Sequence, residues 1–171
     1  MVVVISAFDV PPDADEAFTT RWEAARGAAR LHRALRSDVA PRFVEIARSA
    51  GAEPAPRFAR RSCLYEVVRE DGDPDGAGGA VLIDPFEVPA GEDERLMASW
   101  ERLRALFAAR QGYLGTRLHR SVEQAEFRFV AVVRWSSPLM FARTLRQPEV
   151  EEASAAMPFP GRPALYLVVD G

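Results

Sequence analysis

Short apolar runs alternate with helix-like segments along the first part of the chain. Residues 2–8, VVVISAF, are β-branched and apolar, which is typical of a buried strand. Asp13 and Glu16 then provide an N-cap and an acidic first turn for a helix that ends near Gly27. Further strands are predicted at 29–35, 42–48 and 62–69, with an irregular segment at 49–61 that contains glycine and two prolines.

The same order of elements restarts after residues 71–79, DGDPDGAGG, whose composition is typical of a linker. Phe86 corresponds to Phe8, and Trp100 follows it at the same distance at which Trp22 follows Phe8. The second copy predicts a strand at 81–89, a helix at 91–110, a strand at 113–120, a strand ending at Trp135, a helix at 138–146, a looser acidic segment to Ala156 and a strand at 164–171.

An internal repeat accounts for this restart. Residues 118–135, LHRSVEQAEFRFVAVVRW, repeat residues 31–48, LHRALRSDVAPRFVEIAR. Each copy reads β-α-β-β-(α)-β, which is the ferredoxin-like or split βαβ arrangement. Because such a unit leaves one face of its sheet bare, a second copy can cover that face. We therefore predict an α+β fold of two ferredoxin-like repeats packed sheet to sheet within one chain, with a cavity between the sheets.

The two copies are unequal. Residues 1–70 form a degenerate repeat whose second helix is lost, residues 71–80 form the Gly/Asp/Pro linker, and residues 81–171 form a complete repeat. Ser49 stands where Trp135 stands in the second copy. We therefore expect one cavity, on the side of residues 81–171, with the first copy as its lid and partner sheet.

Composition narrows the class of protein. The 171 residues carry a net charge of −3 and no lysine, which gives no electrostatic footprint for nucleic acid or an anionic membrane. No apolar run approaches a membrane span, and the N-terminus lacks a signal peptide, so we expect a cytoplasmic protein. The single cysteine, Cys63, lies in an apolar strand and is expected to be a buried inert thiol rather than a nucleophile.

Four stretches of the second copy carry a family resemblance. They are IDPFEVPAGEDE, QGYLG followed by LHRSV, RFVAVVRWSS and MPFPGRPALYLVV, which together cover nearly all of 81–171. In them the chain resembles the antibiotic biosynthesis monooxygenase (ABM) family of dimeric α/β barrels. Members are usually single units that pair, so the resemblance implies a fused tandem, an intrachain pseudo-dimer; further homodimerisation is left open. The family includes cofactor-independent oxygenases of aromatic polyketides, haem-degrading enzymes and relatives of polyketide cyclases.

The resemblance also assigns roles to single positions. Trp135 matches the tryptophan that lines the cavity of the quinone-forming oxygenases, although it could instead be a core aromatic. Ala131 and Phe141 replace an asparagine and a tyrosine of those oxygenases, which removes groups that would hold a phenolate. The haem-ligating histidine of the haem-degrading branch falls near Ser154, so we expect no haem and no other cofactor.

Two residues are candidate general bases. Asp84 interrupts an apolar strand, and its pKa would rise toward a useful range if it faces the cavity; otherwise it caps the Pro85 turn in water. His119 is the only imidazole of the second copy. The alternative is a solvent-facing strand histidine, since it alternates with Leu118, or a structural role shared with its counterpart His32.

A second set of residues is expected to bind the substrate. Phe86, Phe129 and Phe141 would line an apolar aromatic pocket for a planar polycyclic ligand. Arg134 and Tyr166 are further candidates, with a strand-end surface charge and a core tyrosine as the alternatives. The sequence thus favours a cofactor-independent monooxygenase or related cyclase that acts on an aromatic polyketide-type substrate, with O2 as co-substrate of the oxygenase. The rival is a non-catalytic protein that binds a small hydrophobic ligand or supports a partner enzyme.

Overall fold

A computed structural model describes residues 1–25, 29–36, 41–48, 59–76 and 79–169 of the chain. Eight strands and four α-helices are present in this part, and a 3-10 turn at Pro12–Ala14 precedes the first helix. The elements are β1 Val2–Asp9, α1 Asp15–Ala25, β2 Arg30–Ala34, β3 Phe43–Arg48, β4 Ala59–Gly72, β5 Ala80–Phe86, α2 Asp93–Ala108, β6 Tyr113–Ser121, β7 Phe129–Trp135, α3 Pro138–Leu145, α4 Pro148–Ala155 and β8 Ala164–Val168.

The eight strands form one closed antiparallel barrel in the order β1-β3-β2-β8-β5-β7-β6-β4. Within it, β4-β1-β3-β2 and β8-β5-β7-β6 each have the strand order of a ferredoxin-like sheet. The sheets are joined edge to edge, because β2 pairs with β8 and β4 pairs with β6. Closure leaves no free edge strand in the barrel. The predicted fold class, two ferredoxin-like repeats forming an α/β barrel within one chain, is confirmed.

Both faces of the barrel wall are buried over much of the sheet, although β4 is mostly half-buried or exposed. Inward-facing apolar residues from seven of the eight strands, all except β6, form one core, which includes Val81, Val130 and Tyr166. The outward-facing residues of the second half pack against α2, α3 and α4, and those of the first half pack against α1. As a result every residue of β7 is buried.

Two ion pairs hold the first helix of each half to the barrel. Arg42 donates from Nε and Nη2 to the Asp15 carboxylate at the start of α1, at 3.1 and 2.5 Å. Arg128 donates from Nε and Nη2 to Asp93 at the start of α2, at 3.2 and 2.8 Å. The same clamp is therefore built twice, once in each half.

Several predicted boundaries differ from the structure. The acidic segment before Ala156, predicted as looser chain, is the helix α4, whose first turn carries Pro148 and acidic residues. Strand β4 begins at Ala59, inside the predicted irregular segment, and continues to Gly72, inside the predicted linker, because Asp71 and Gly72 pair with β6. The predicted helix end at Gly27, the position of Ser49 and the predicted loss of a helix at 49–58 lie outside the described residues.

Candidate functional site

A cavity of about 320 Å³ lies inside the barrel, toward the end at which β1 begins and β7 ends. Its polar lining comes in matched pairs from the two halves of the chain, with valine and isoleucine side chains between them. The pairs are Arg30 with Arg117, His32 with His119, and Arg48 with Arg134. The prediction placed one cavity on the side of residues 81–171, whereas this cavity is shared by both halves.

The two histidines of the cavity make the same hydrogen bond. His32 Nδ1 lies 3.1 Å from the carbonyl oxygen of Val44, and His119 Nδ1 lies 3.1 Å from that of Val130. Because a carbonyl can only accept, Nδ1 carries the proton in both rings, and Nε2 is left as the basic nitrogen. Burial lowers the pKa of each histidine to about 4. Both rings are therefore neutral near pH 7.

The alternative of a solvent-facing His119 is wrong. His119 is 1% exposed and Leu118 is 0% exposed, because the first faces the inside of a closed barrel and the second faces α2. Arg134 is likewise not a surface charge at a strand end, since it is only 3% exposed and lines the cavity. Its counterpart Arg48 lines the same cavity but is exposed.

Arginine side chains form the mouth of this cavity. Arg117 is bound on one side by Glu70, which accepts from Nε at 2.6 Å, and on the other by Asp75. Arg30 and Arg134 donate to backbone carbonyls of Gly76 and Asp73. Sequence reasoning missed Arg30, Arg117 and Asp75 as site residues. The two arginines could have been found from the sequence, since Arg30 and Arg117 occupy the same position of the repeat, directly before the LHR segment.

Trp135 lies on the other face of the β7 strand, under the helices. Its ring packs at 5.5 Å from Phe107, 5.9 Å from Tyr113 and 5.7 Å from Phe141, measured between ring centroids. Trp135 is 0% exposed, and its indole Nε1 has no hydrogen-bond partner within the described residues. Trp135 and Phe141 therefore lie on the helix side of the sheet and do not line the barrel cavity. The predicted cavity-wall role of Trp135 could apply only on that side.

Asp84 also points away from the barrel interior. It pairs with Ala131 along β5 and β7, and its carboxylate lies against Gly161, where an added Cβ would stand 2.2 Å from Oδ1. Burial raises the pKa of Asp84 to about 7, and a hydrogen bond from the backbone of Arg162 opposes this rise. Oδ1 has no hydrogen-bond partner in the described part of the chain. Asp84 is therefore partly buried rather than fully in water, and it is not in the same cavity as His119.

The remaining predicted binding residues pack in the core. Phe86 and Phe129 are fully buried on the helix side, against Leu96 and Trp100 of α2. Tyr166 is buried inside the barrel beyond the cavity, and its hydroxyl donates to the carbonyl of Pro41 at 3.2 Å. The structure thus brings His119 and Arg134 together and separates them from the other predicted site residues. A role for those others in ligand binding stays a prediction.

Groups for thiol, metal or haem chemistry are poorly placed or lacking among the described residues. Cys63 packs against the inner core, and burial raises the pKa of its thiol, as expected for an inert cysteine. Within the described residues no three acidic, histidine or cysteine side chains cluster in a way that could hold a metal ion. No helix in the described ranges is long and apolar enough to cross a membrane. Both histidines of the chain lie in the barrel, so the helix side offers no imidazole for haem iron.

Comparison with known proteins identifies solved structures that have the same fold. No protein-family model and no curated protein sequence matches the chain. A ferredoxin-fold protein related to antibiotic biosynthesis monooxygenases, from Listeria monocytogenes, aligns over 100% of this chain and 96% of its own, with a TM-score of 0.65 and 15% identity. An anthrone oxidase-like protein aligns over 99% of this chain and 91% of its own, with a TM-score of 0.67 and 17% identity.

A third match widens the range of functions that this fold carries. A haem-degrading enzyme from Listeria monocytogenes aligns over 97% of this chain and 98% of its own, with a TM-score of 0.61 and 15% identity. At these identities the matches establish the fold, and a fold hosts several reactions. The resemblance to the antibiotic biosynthesis monooxygenase family is thereby confirmed for the fold alone: the chain has the α/β barrel fold of the matched proteins, with both halves supplied by one polypeptide.

Proposed function

We propose that the chain is a cofactor-independent oxygenase, or a closely related cyclase, that acts on a small aromatic polyketide-type substrate inside the barrel. The observation that carries this proposal is the pair of buried neutral imidazoles, His32 and His119, which line one cavity together with valine and isoleucine side chains and arginines. The similarity in fold to an anthrone oxidase-like protein supports the same substrate class. Anthrones are planar and have acidic phenol and methylene protons.

The hydrogen bond at Nδ1 defines what each histidine can do. Val130 holds the His119 ring in one tautomer, with Nε2 unprotonated at every pH above about 4. Such a base is always available but is weak, so it suits a substrate proton that is already acidic. This limits the reaction to phenolic or doubly activated methylene compounds, which is the chemistry of anthrones and polyketide cyclisation.

In the proposed reaction His119 Nε2 removes a proton from the bound substrate. The carbanion then reduces O2, so that one oxygen atom ends in the new carbonyl group and the other leaves as water. In the cyclase variant the same carbanion closes a ring. The buried walls exclude bulk water from the anion, and the arginines at the mouth stabilise negative charge.

Binding without turnover is the competing function. In the sequence it is favoured by Ala131 and Phe141, which replace hydrogen-bonding residues of the quinone-forming oxygenases but lie on the helix side of the sheet. In the barrel cavity it is favoured by the low pKa of both histidines, which makes them weak bases. It predicts saturable binding of a polycyclic phenol with neither oxygen uptake nor a cyclised product.

Oxygen consumption with 1,8-dihydroxyanthrone tests the proposal. We expect His119→Asn, which can still donate to Val130, to lower kcat by about 100-fold or more, the usual contribution of a general base. Trp135→Phe and Asp84→Asn lie on the other face of the sheet and should retain most of the activity. If His119→Asn is fully active while Trp135→Phe or Asp84→Asn is not, the reaction occurs on the helix side and the barrel assignment is wrong.

A further inference from the structure

Residues 73–76, Asp-Pro-Asp-Gly, lie across the mouth of the barrel cavity and are here called the strap. Three arginines that line the cavity hold it. Arg117 donates from Nη1 and Nη2 to the two carboxylate oxygens of Asp75, at 2.6 Å each. Arg134 donates to the carbonyl oxygen of Asp73 at 2.5 Å, and Arg30 donates to that of Gly76 at 3.3 Å.

The strap is fitted closely to these arginines. A Cβ added to Gly76 would crowd Asp73 Oδ2 and would lie 2.5 Å from Arg134 Nη1, so a larger residue would require these side chains or the strap to shift. The two-pronged contact between Arg117 and Asp75 is the planar geometry in which a guanidinium recognises any carboxylate. The hydrogen bonds from Arg117 lower the pKa of Asp75, and the charges of Arg30 and Arg48 add to the effect.

Burial of the partners is strongly unequal. The side chains of Arg117 and Arg134 are 16% and 4% exposed, whereas those of Asp75 and Asp73 are 51% and 73% exposed. An exposed carboxylate gains little from such a pair and is readily released to water. When Asp75 leaves, Arg117 keeps Glu70 on Nε but loses both partners of its terminal nitrogens, so this largely buried guanidinium favours a replacement anion. The geometry therefore favours exchange of the strap carboxylate for a carboxylate on a ligand.

We propose that Arg30, Arg117 and Arg134 form the anion subsite of the cavity, and that the ligand is an aromatic acid whose carboxylate replaces Asp75 on Arg117. The ring system of this acid lies between the apolar walls, and a phenolic hydroxyl reaches the imidazoles. The strap thus acts as a built-in competitor for the anion subsite. This inference deepens the proposed function, since it takes the barrel cavity as the substrate site.

Calorimetric titration with 3-hydroxy-2-naphthoate and with 2-naphthol, which lacks the carboxylate, tests the inference. The variant is Asp75→Asn, which keeps the shape of the strap and removes the competing charge. Asp9→Asn is the matched control, because Asp9 is an exposed carboxylate in an ion pair with Arg61, at the end of β1 away from the cavity. It changes the net charge by the same amount.

We expect Asp75→Asn to bind 3-hydroxy-2-naphthoate about tenfold more tightly than the unaltered protein, and 2-naphthol with unchanged affinity. Asp9→Asn should match the unaltered protein for both ligands. Arg117→Met should abolish the preference for the carboxylate. Equal affinities in Asp75→Asn and the unaltered protein, an equal gain for both ligands, or no binding of either ligand would overturn the inference.

The two proposals fail separately. Suppose that binding depends on the carboxylate and responds to Asp75, but that no substrate gives oxygen uptake or ring closure. That result supports the anion subsite and contradicts the catalytic function. Suppose instead that anthrone oxidation depends on His119 but not on Asp75→Asn, and that the naphthoate is not preferred. That result supports the catalytic function and contradicts the anion subsite.

Discussion

His32 and His119 make one and the same interaction in the two halves of the barrel. Each imidazole Nδ1 lies 3.1 Å from the carbonyl oxygen of a valine on the neighbouring strand, Val44 for the first and Val130 for the second. Both rings are almost fully buried. The repeat in the sequence therefore places two equivalent basic nitrogens, one from each half, inside a common cavity. A single half could not enclose such a pair.

The buried histidines should make the protein sensitive to acid. Burial lowers the pKa of both from 6.5 to about 4. As the pH falls below 6.5 the unfolded chain takes up these protons and the folded chain does not, so the free energy of unfolding decreases until about pH 4. The loss is at most roughly 3 kcal/mol per histidine.

Urea unfolding at pH 7.5, 6 and 5 checks this prediction. The double variant His32→Asn, His119→Asn should lose less stability between pH 7.5 and 5 than the unaltered protein. Parallel curves for the two proteins over this range would contradict the assignment of neutral, buried imidazoles.

The two arginine clamps should differ in strength. Arg42 and Asp15 have side chains that are 12% and 18% exposed, whereas Arg128 and Asp93 are 36% and 21% exposed. Solvent screens the second pair more, so Arg42→Met should lower the free energy of unfolding by about 2–3 kcal/mol and Arg128→Met by about 1 kcal/mol. Urea denaturation at pH 7.5 measures both, and the reverse order would refute the argument from burial.

The repeat was sufficient to predict the fold. In each copy the LHR and RFV segments lie on two paired strands. Trp22 and Trp100 lie on the helix that covers those strands in the first and second copy. What the sequence did not reveal is how the two sheets meet. The predicted sheet-to-sheet packing is confirmed, but the sequence did not indicate that the fourth strand of each half pairs with the second strand of the other.

The site was harder to predict because a closed barrel has two buried faces. A strand that alternates Leu118 with His119 normally has one face in water, so the histidine was open to interpretation as a surface residue. Here both residues are buried. Asp75 lay in a segment whose composition indicated only a linker, and its contact with Arg117 spans 42 residues of sequence.

Trp135 should behave as a core residue in stability measurements. Its indole is surrounded by Phe107, Tyr113 and Phe141, and its Nε1 has no hydrogen-bond partner among the described residues. Trp135→Phe loses some packing but also removes an unsatisfied buried donor, so the two effects offset and the net cost should stay near 1 kcal/mol. Trp135→Ala should cost about 3–5 kcal/mol. Similar costs for the two variants in urea unfolding would argue against this account.

Asp84 should destabilise the folded protein as the pH rises. Burial raises the pKa of Asp84 from its ordinary value of 3.8 to about 7 in the folded chain, because it disfavours the ionised carboxylate. Below pH 3.8 the carboxyl group is protonated in both states and carries no penalty. Between about pH 4 and 7 the unfolded chain releases the proton while the folded chain retains it, so the free energy of unfolding falls, and above pH 7 the penalty is constant.

Asp84→Asn removes this titration and keeps the shape that fits against Gly161, with an amide oxygen still able to accept from the backbone of Arg162. The variant should therefore be more stable than the unaltered protein at pH 8, by at most roughly 4 kcal/mol, and close to it in stability at pH 4. Urea unfolding of both proteins at pH 4, 6 and 8 measures the difference. A difference that does not grow with pH would show that the carboxyl group has the same pKa in the folded and unfolded chain, and Asp84 would then have no raised pKa to use as a base.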